Sequence, residues 1–175
     1  LETVARLLAA ATGNSGNIAA GFFSGFLAVD PEAGFSEAVR CGRERAWKAV
    51  ADPRPGTMLS FFDALATIET RDPVPLQAMI GVMKTAVLAT TETLPAIQRA
   101  HVVDAGALGL YLFFEGFLAR TFDAADALCP ITETFSGRLK VDEGFFADPT
   151  PRYCVDTVVR TKDPGTAPIA ALADL

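Results

Sequence analysis

Three short stretches of the chain carry residue types from which a binding site could be built: Gly13-Asn14-Ser15-Gly16, Gly56-Thr57-Met58 and Asp104-Ala105-Gly106. Each sets glycine and a small polar residue at the start of a strongly apolar run. Backbone N–H groups in the first turn of a helix have no intrahelical partner, and the positive end of the helix dipole lies there, so an anion such as a phosphate is favoured. Glycine keeps side-chain atoms out of the way of such an approach. The same residues also meet a plainer need. Ser15, Thr57 and Asp104 are favoured helix caps, each worth about 1 kcal/mol. If the three helices begin at one end of a bundle, their N-termini converge on one mouth suited to a polyphosphate, with a low-dielectric floor of Phe and Leu. If they do not, the three turns are caps and nothing more.

The elements that would position these turns follow from apolar spacing. A short amphipathic helix is expected over residues 2–11, stopped by Thr12-Gly13. The next runs from about Ser15 to Val29, with Ile18, Phe22 and Phe26 four apart on one face and Ala19, Phe23 and Leu27 widening the stripe. Asp30-Pro31 ends it, because a residue before proline is driven out of the helical region. A helix over about 36–50 turns Val39, Ala46, Trp47 and Val50 inward. The rigid linker Asp52-Pro53-Arg54-Pro55-Gly56 then delivers the chain to a helix carrying Met58, Leu59, Phe62, Leu65 and Ile68, up to Arg71-Asp72-Pro73. Helices follow over about 75–89, with Leu76, Met79, Ile80, Met83 and Val87, over 91–99, with Leu94 and Ile97, and from Asp104 to about Phe122. Between the first and second turns lies one helix, and between the second and third lie two, one of them short. In an up-and-down bundle that count is compatible with convergence. Residues 129–150 read as loop or linker. Residues 152–160 alternate and are β-branched, the one convincing strand signal.

Composition bounds the function. At 175 residues and 50% apolar content the chain can bury a sizeable core, and its abundance of alanine favours helices. A formal charge of −6 without a Lys/Arg cluster argues against a nucleic-acid surface. Cys41, Cys129 and Cys154 form neither a disulfide framework nor a close metal cluster, which suggests a reducing, cytoplasmic setting. No apolar run is long enough to span a bilayer. Of the remaining candidates, His101 is read as a helix C-terminal or surface histidine with a catalytic base as the alternative, and Trp47 as core. Asp30, Asp52 and Asp72 are read as helix stop signals, and Arg138 and Lys140 as mobile surface charge, although either could reach a phosphate.

The order of Gly13-Asn14-Ser15-Gly16, Ala46-Trp47-Lys48-Ala49-Val50, Pro55-Gly56-Thr57-Met58, Val102-Val103-Asp104-Ala105-Gly106-Ala107-Leu108-Gly109-Leu110 and Glu115-Gly116 resembles the nucleotide-binding domain of the dihydroxyacetone kinase type. The variant it looks most like is the ATP-binding large subunit of bacterial fatty-acid kinase. The resemblance implies an all-α, antiparallel helical barrel over residues 1–126, a linker over 127–150, and over 151–175 the start of a truncated second α/β domain. It implies ATP or ADP as ligand, with Gly13, Asn14, Ser15 and Gly16 at the phosphates, Gly56, Thr57 and Met58 beside the nucleotide, and Asp104, Ala105 and Gly106 completing the mouth. It also implies an acceptor held by a partner protein, either a carrier-bound fatty acid or dihydroxyacetone, and leaves a homodimer open. Mg2+ would be held by an Asp-Gly-Asp-Thr-Gly loop that this sequence does not contain and that is expected upstream of Leu1. No metal ligand and no catalytic residue are assigned within the chain. Cys154 matches a cysteine that serves a zinc site in some relatives, but without the later histidines it reads as a buried strand residue.

Overall fold

A computed structural model of the chain describes residues 2–68, 74–124, 126, 128–141 and 145. The expected strand, the second domain, Cys154 and the Arg71-Asp72-Pro73 stop lie outside the described residues. Within them the fold is an all-α helical bundle. Its helices are α1 (Glu2–Ala10), α2 (Gly13–Phe26), α3 (Gly34–Trp47), α4 (Met58–Leu65), α5 (Leu76–Ala89), α6 (Pro95–Ala100), α7 (Ala105–Thr121) and α8 (Ile131–Thr134), with 3-10 turns at Pro31–Ala33 and Thr90–Glu92.

The closest packing is the α2–α3 hairpin, and glycine makes it possible. A Cβ on Gly25 would run into the backbone of Cys41 and Gly42, and one on Gly42 would meet the Phe22 ring at 2.8 Å. Gly21 in turn faces Arg45, Ala46 and Ala49. Residue numbers rise along α2 as they fall along α3, so the two helices are antiparallel. Phe22 then reaches past α3 to stack on Phe62 of α4, with ring centroids 3.9 Å apart, and meets Phe114 of α7 edge-on at 5.8 Å. Phe22, Phe61, Phe62 and Phe114 are fully buried, and this aromatic knot ties α2, α4 and α7 together. Edge-to-face and offset contacts of this kind add to the burial of each ring.

Tertiary packing moved several boundaries away from the apolar pattern. Helix α2 stops at Phe26, three residues short of Val29, because the chain must already be turning toward Pro31. Asp30 accepts a hydrogen bond from the Glu32 N–H at 2.9 Å, so it caps the 3-10 turn as well as stopping the helix. The stretch expected as one helix over 91–99 splits into a 3-10 turn and α6, with Pro95 at the new first turn, a position where its missing N–H costs nothing. His101 ends α6 in the left-handed region at φ 53° and is exposed, which agrees with a C-terminal histidine. In the expected loop beyond residue 129, Ile131–Thr134 makes one helical turn. Phe135 just after it is buried edge-on against Tyr111 at 5.0 Å, and the Val103 N–H donates to the Arg138 carbonyl at 3.0 Å.

Candidate functional site

Helices α2, α4 and α7 start at the same end of the bundle. Met58, at the start of α4, lies against Gly106 in the first turn of α7, and Asn14, Ser15, Thr57, Met58 and Asp104 line one cavity of about 470 Å³. Helices α3 and α5 run the other way and finish there: Val50, just beyond α3, lines the cavity, and the Thr90 hydroxyl at the end of α5 accepts the Asp104 N–H at 2.9 Å. The volume lies in the range of small-molecule sites. Ile18, Leu59 and Leu94 supply apolar wall. Of the ten residues singled out from the sequence, Gly13, Gly16, Gly56, Ala105 and Gly106 do not line the cavity.

The three turns differ in how their backbone donors are used. Thr57 caps α4, its Oγ1 accepting the Leu59 N–H at 3.3 Å. Gly56 just before it has φ +86°, and its N–H donates to Ser60 Oγ at 2.8 Å. A Cβ at Gly56 would collide with the Thr93 side chain, so both conformation and space demand glycine. Asp104 caps α7, its Oδ2 accepting the Ala107 N–H at 2.8 Å. Burial raises the Asp104 pKa, while backbone hydrogen bonds from Ala107, Gly106 and Met58 pull the other way. The second and third turns are therefore close neighbours around this carboxylate. Gly106 permits this closeness, since a Cβ there would sit 3.1 Å from Asp104 Oδ2 and 3.2 Å from Met58 Sδ.

The first turn is unlike the other two. Ser15 does not cap α2: the helix begins at Gly13, so Ser15 lies inside the first turn, and the capping position belongs to Thr12, whose side chain makes no cap. Gly13 takes φ +67°, and the Asn14 and Ser15 side chains are exposed at the cavity. This N-terminus therefore presents backbone donors that no capping side chain covers. A residue set missed from the sequence also appears here, because Asp52 and Arg54 of the linker line the cavity. The flanking prolines carried the signal, since they fix the reach of the residues between them. Cys41 and Cys129 are free thiols, and Arg138 is half-buried.

A family model, the DAK2 domain, matches residues 1–119. The chain belongs to the DAK2 domain family. Domains of this family bind ADP or ATP in dihydroxyacetone kinases and work with a substrate-binding partner subunit. Protein YloV of Bacillus subtilis is 36% identical over 126 residues, which take in 65% of this chain and 23% of YloV. Uncharacterized proteins of Staphylococcus aureus strains USA300 and NCTC 8325 are each 37% identical over 125 residues, again covering 23% of their own length. The DAK2 chain thus spans about a quarter of the curated relatives it matches. Among the described residues no helix is long and apolar enough to cross a membrane.

The donor set suits the phosphates of a nucleotide: an uncapped helix start, a serine hydroxyl, an asparagine amide and an arginine around a half-apolar cavity. It does not suit magnesium. Asp52 is engaged with Arg54 and Asp104 with backbone N–H groups, and among the described residues no group of three His, Cys, Asp or Glu side chains is placed to hold a metal ion.

Proposed function

We propose that this chain is the nucleotide-binding part of a phosphotransferase, with ATP or ADP seated in the cavity where α2, α4 and α7 begin. The observation that carries the reading is the contrast at that cavity: two helix starts are closed by their own caps and the third, at Gly13-Asn14-Ser15-Gly16, is open toward it. The phosphates lie along the α2 start, and Thr57, Met58 and Asp104 form the wall beside the nucleotide. The γ-phosphoryl group passes to an acceptor held by a partner protein, with a carrier-bound fatty acid giving an acyl phosphate. Support for that acceptor is the resemblance to the large subunit of fatty-acid kinase. Magnesium ligands belong to a loop outside this chain, and residues 151–175 open a second domain.

Isothermal titration of ADP into the chain tests the site: binding that Ser15→Ala weakens is expected, and no binding would refute it. With the upstream segment restored, transfer of labelled phosphate to a carrier-bound fatty acid rather than to dihydroxyacetone is expected; the reverse preference would move the acceptor to the small polyol. A second reading, a helical interaction module without nucleotide, draws on the complete capping of α4 and α7. It requires that substitutions at all three turns alter stability alone.

A further inference from the structure

Arg54 is the only cationic residue among the described residues that line the cavity, and its partner there is Asp52. Its Nε and Nη2 both donate to a single oxygen, Oδ2 of Asp52, at 3.0 and 2.7 Å, across the intervening Pro53. Side-chain exposures of 71% and 74% make this a solvated pair of the kind that adds little to folding. The backbone that carries the guanidinium is nevertheless held in place. Pro53 and Pro55 restrict the backbone on both sides, and the Arg54 carbonyl accepts the Thr57 hydroxyl at 3.3 Å, tying the linker to the cap of α4. A guanidinium fork binds two oxygens of one phosphoryl group better than it binds one carboxylate oxygen, because its parallel N–H bonds match that geometry. The uncapped α2 start lines the same cavity.

We propose that Arg54 grips the terminal phosphoryl group of the bound nucleoside diphosphate or triphosphate, and that Asp52 holds the guanidinium at the mouth until that group displaces it. Arg54 is thereby a specificity residue, selecting ligands with a phosphate beyond the first, and Asp52 is a positioning residue that competes for it. The assignment rests on the nucleotide reading above. Because both side chains are exposed, their replacement leaves the fold intact, and thermal unfolding of each variant provides the control.

The experiment titrates ADP and AMP into the 175-residue chain and into Arg54→Ala, Arg54→Lys, Asp52→Asn and the Asp52→Asn/Arg54→Ala double variant. Arg54→Ala is expected to weaken ADP about tenfold and AMP by less than about threefold, the loss of a charged hydrogen-bonded contact to one phosphoryl group. Arg54→Lys recovers only part of the ADP affinity, since a point charge lacks the fork. Asp52→Asn tightens ADP, and this gain disappears when Arg54 is alanine. Equal ADP affinity in wild type and Arg54→Ala overturns the role of Arg54 and leaves the nucleotide site standing. Parallel losses for ADP and AMP overturn the terminal-phosphate placement, and a gain from Asp52→Asn that persists without Arg54 overturns the competition. Failure of the wild-type chain to bind ADP overturns this assignment together with the reading it rests on.

Discussion

The start of α2 and the starts of α4 and α7 are written in the same residue alphabet and do different things. At α4 and α7 a side chain folds back onto the first turn: Thr57 accepts from Leu59 and Asp104 from Ala107. At α2 the residue in the capping position, Thr12, makes no such bond, and Asn14 and Ser15 face the cavity. A helix start closed by its own cap has little left for an anion, whereas an uncapped one keeps both its donors and its dipole available. On the proposed nucleotide reading, the two closed starts are the frame and the open one is the contact surface. The frame is tightest where the glycines are least replaceable: Gly56 is buried with positive φ, and a Cβ on Gly106 would crowd both Asp104 and Met58.

The largest loss of stability is expected at Gly56. Replacement by alanine drives a Cβ into Thr93 and forces a strained φ, with an expected loss of roughly 2–4 kcal/mol in urea unfolding. A loss close to that of an ordinary surface change would mean that the second turn is not a rigid part of the frame. Asp104→Ala should cost roughly 1–2 kcal/mol, as for other helix caps, with Asp104→Asn retaining most of it. Equal losses for the two variants would remove the capping role.

The stability contributed by Asp104 depends on pH. Burial raises the native pKa of Asp104 above its ordinary value of 3.8, so the folded chain holds this proton more tightly than the unfolded one. The contribution is complete below 3.8 and falls as pH rises through the window between that value and the native one. The stability difference between wild type and Asp104→Asn should therefore shift against the wild type as pH rises through this window, read by unfolding at a series of pH values. A difference independent of pH would show that Asp104 is no more buried folded than unfolded. The smallest effect on stability is expected at the open start: Ser15→Ala should change it by no more than about 0.5 kcal/mol while weakening ADP several-fold. A stability loss as large as that of Asp104→Ala would place Ser15 in the frame.

Much of the frame was legible in the sequence because apolar spacing marks buried faces. Met58, Leu59, Phe62, Leu65 and Ile68 are all buried, as the period demanded, and so are Leu76, Met79, Met83 and Val87. Helix α7 shows the limit of that signal. It is apolar nearly all round, so the pattern chooses no face, and Leu112, Phe113 and Phe117 are 45%, 49% and 40% exposed while Tyr111 and Phe114 are buried. Phe135 was hidden for another reason: a single aromatic after a one-turn helix has no period to reveal it. At the site, the residue types of all three turns could be read, but not the division between caps and open donors. Ser15 is as good a cap as Thr57 by type, and only the start of α2 at Gly13 moves it inside the first turn. Arg54 was passed over because a charged loop residue ordinarily faces water, and it takes the fold to show that this residue lines a cavity.

On the proposed reading, the open start of α2, and not the capped starts, meets the ligand. Backbone amide resonances of the chain, followed by heteronuclear NMR during addition of ADP, test it directly. The largest shifts are expected on Gly13, Asn14, Ser15 and Gly16, with smaller ones at Leu59 and Ala107, whose N–H groups are already taken. Shifts concentrated at Leu59 and Ala107 with residues 13–16 unmoved would contradict it.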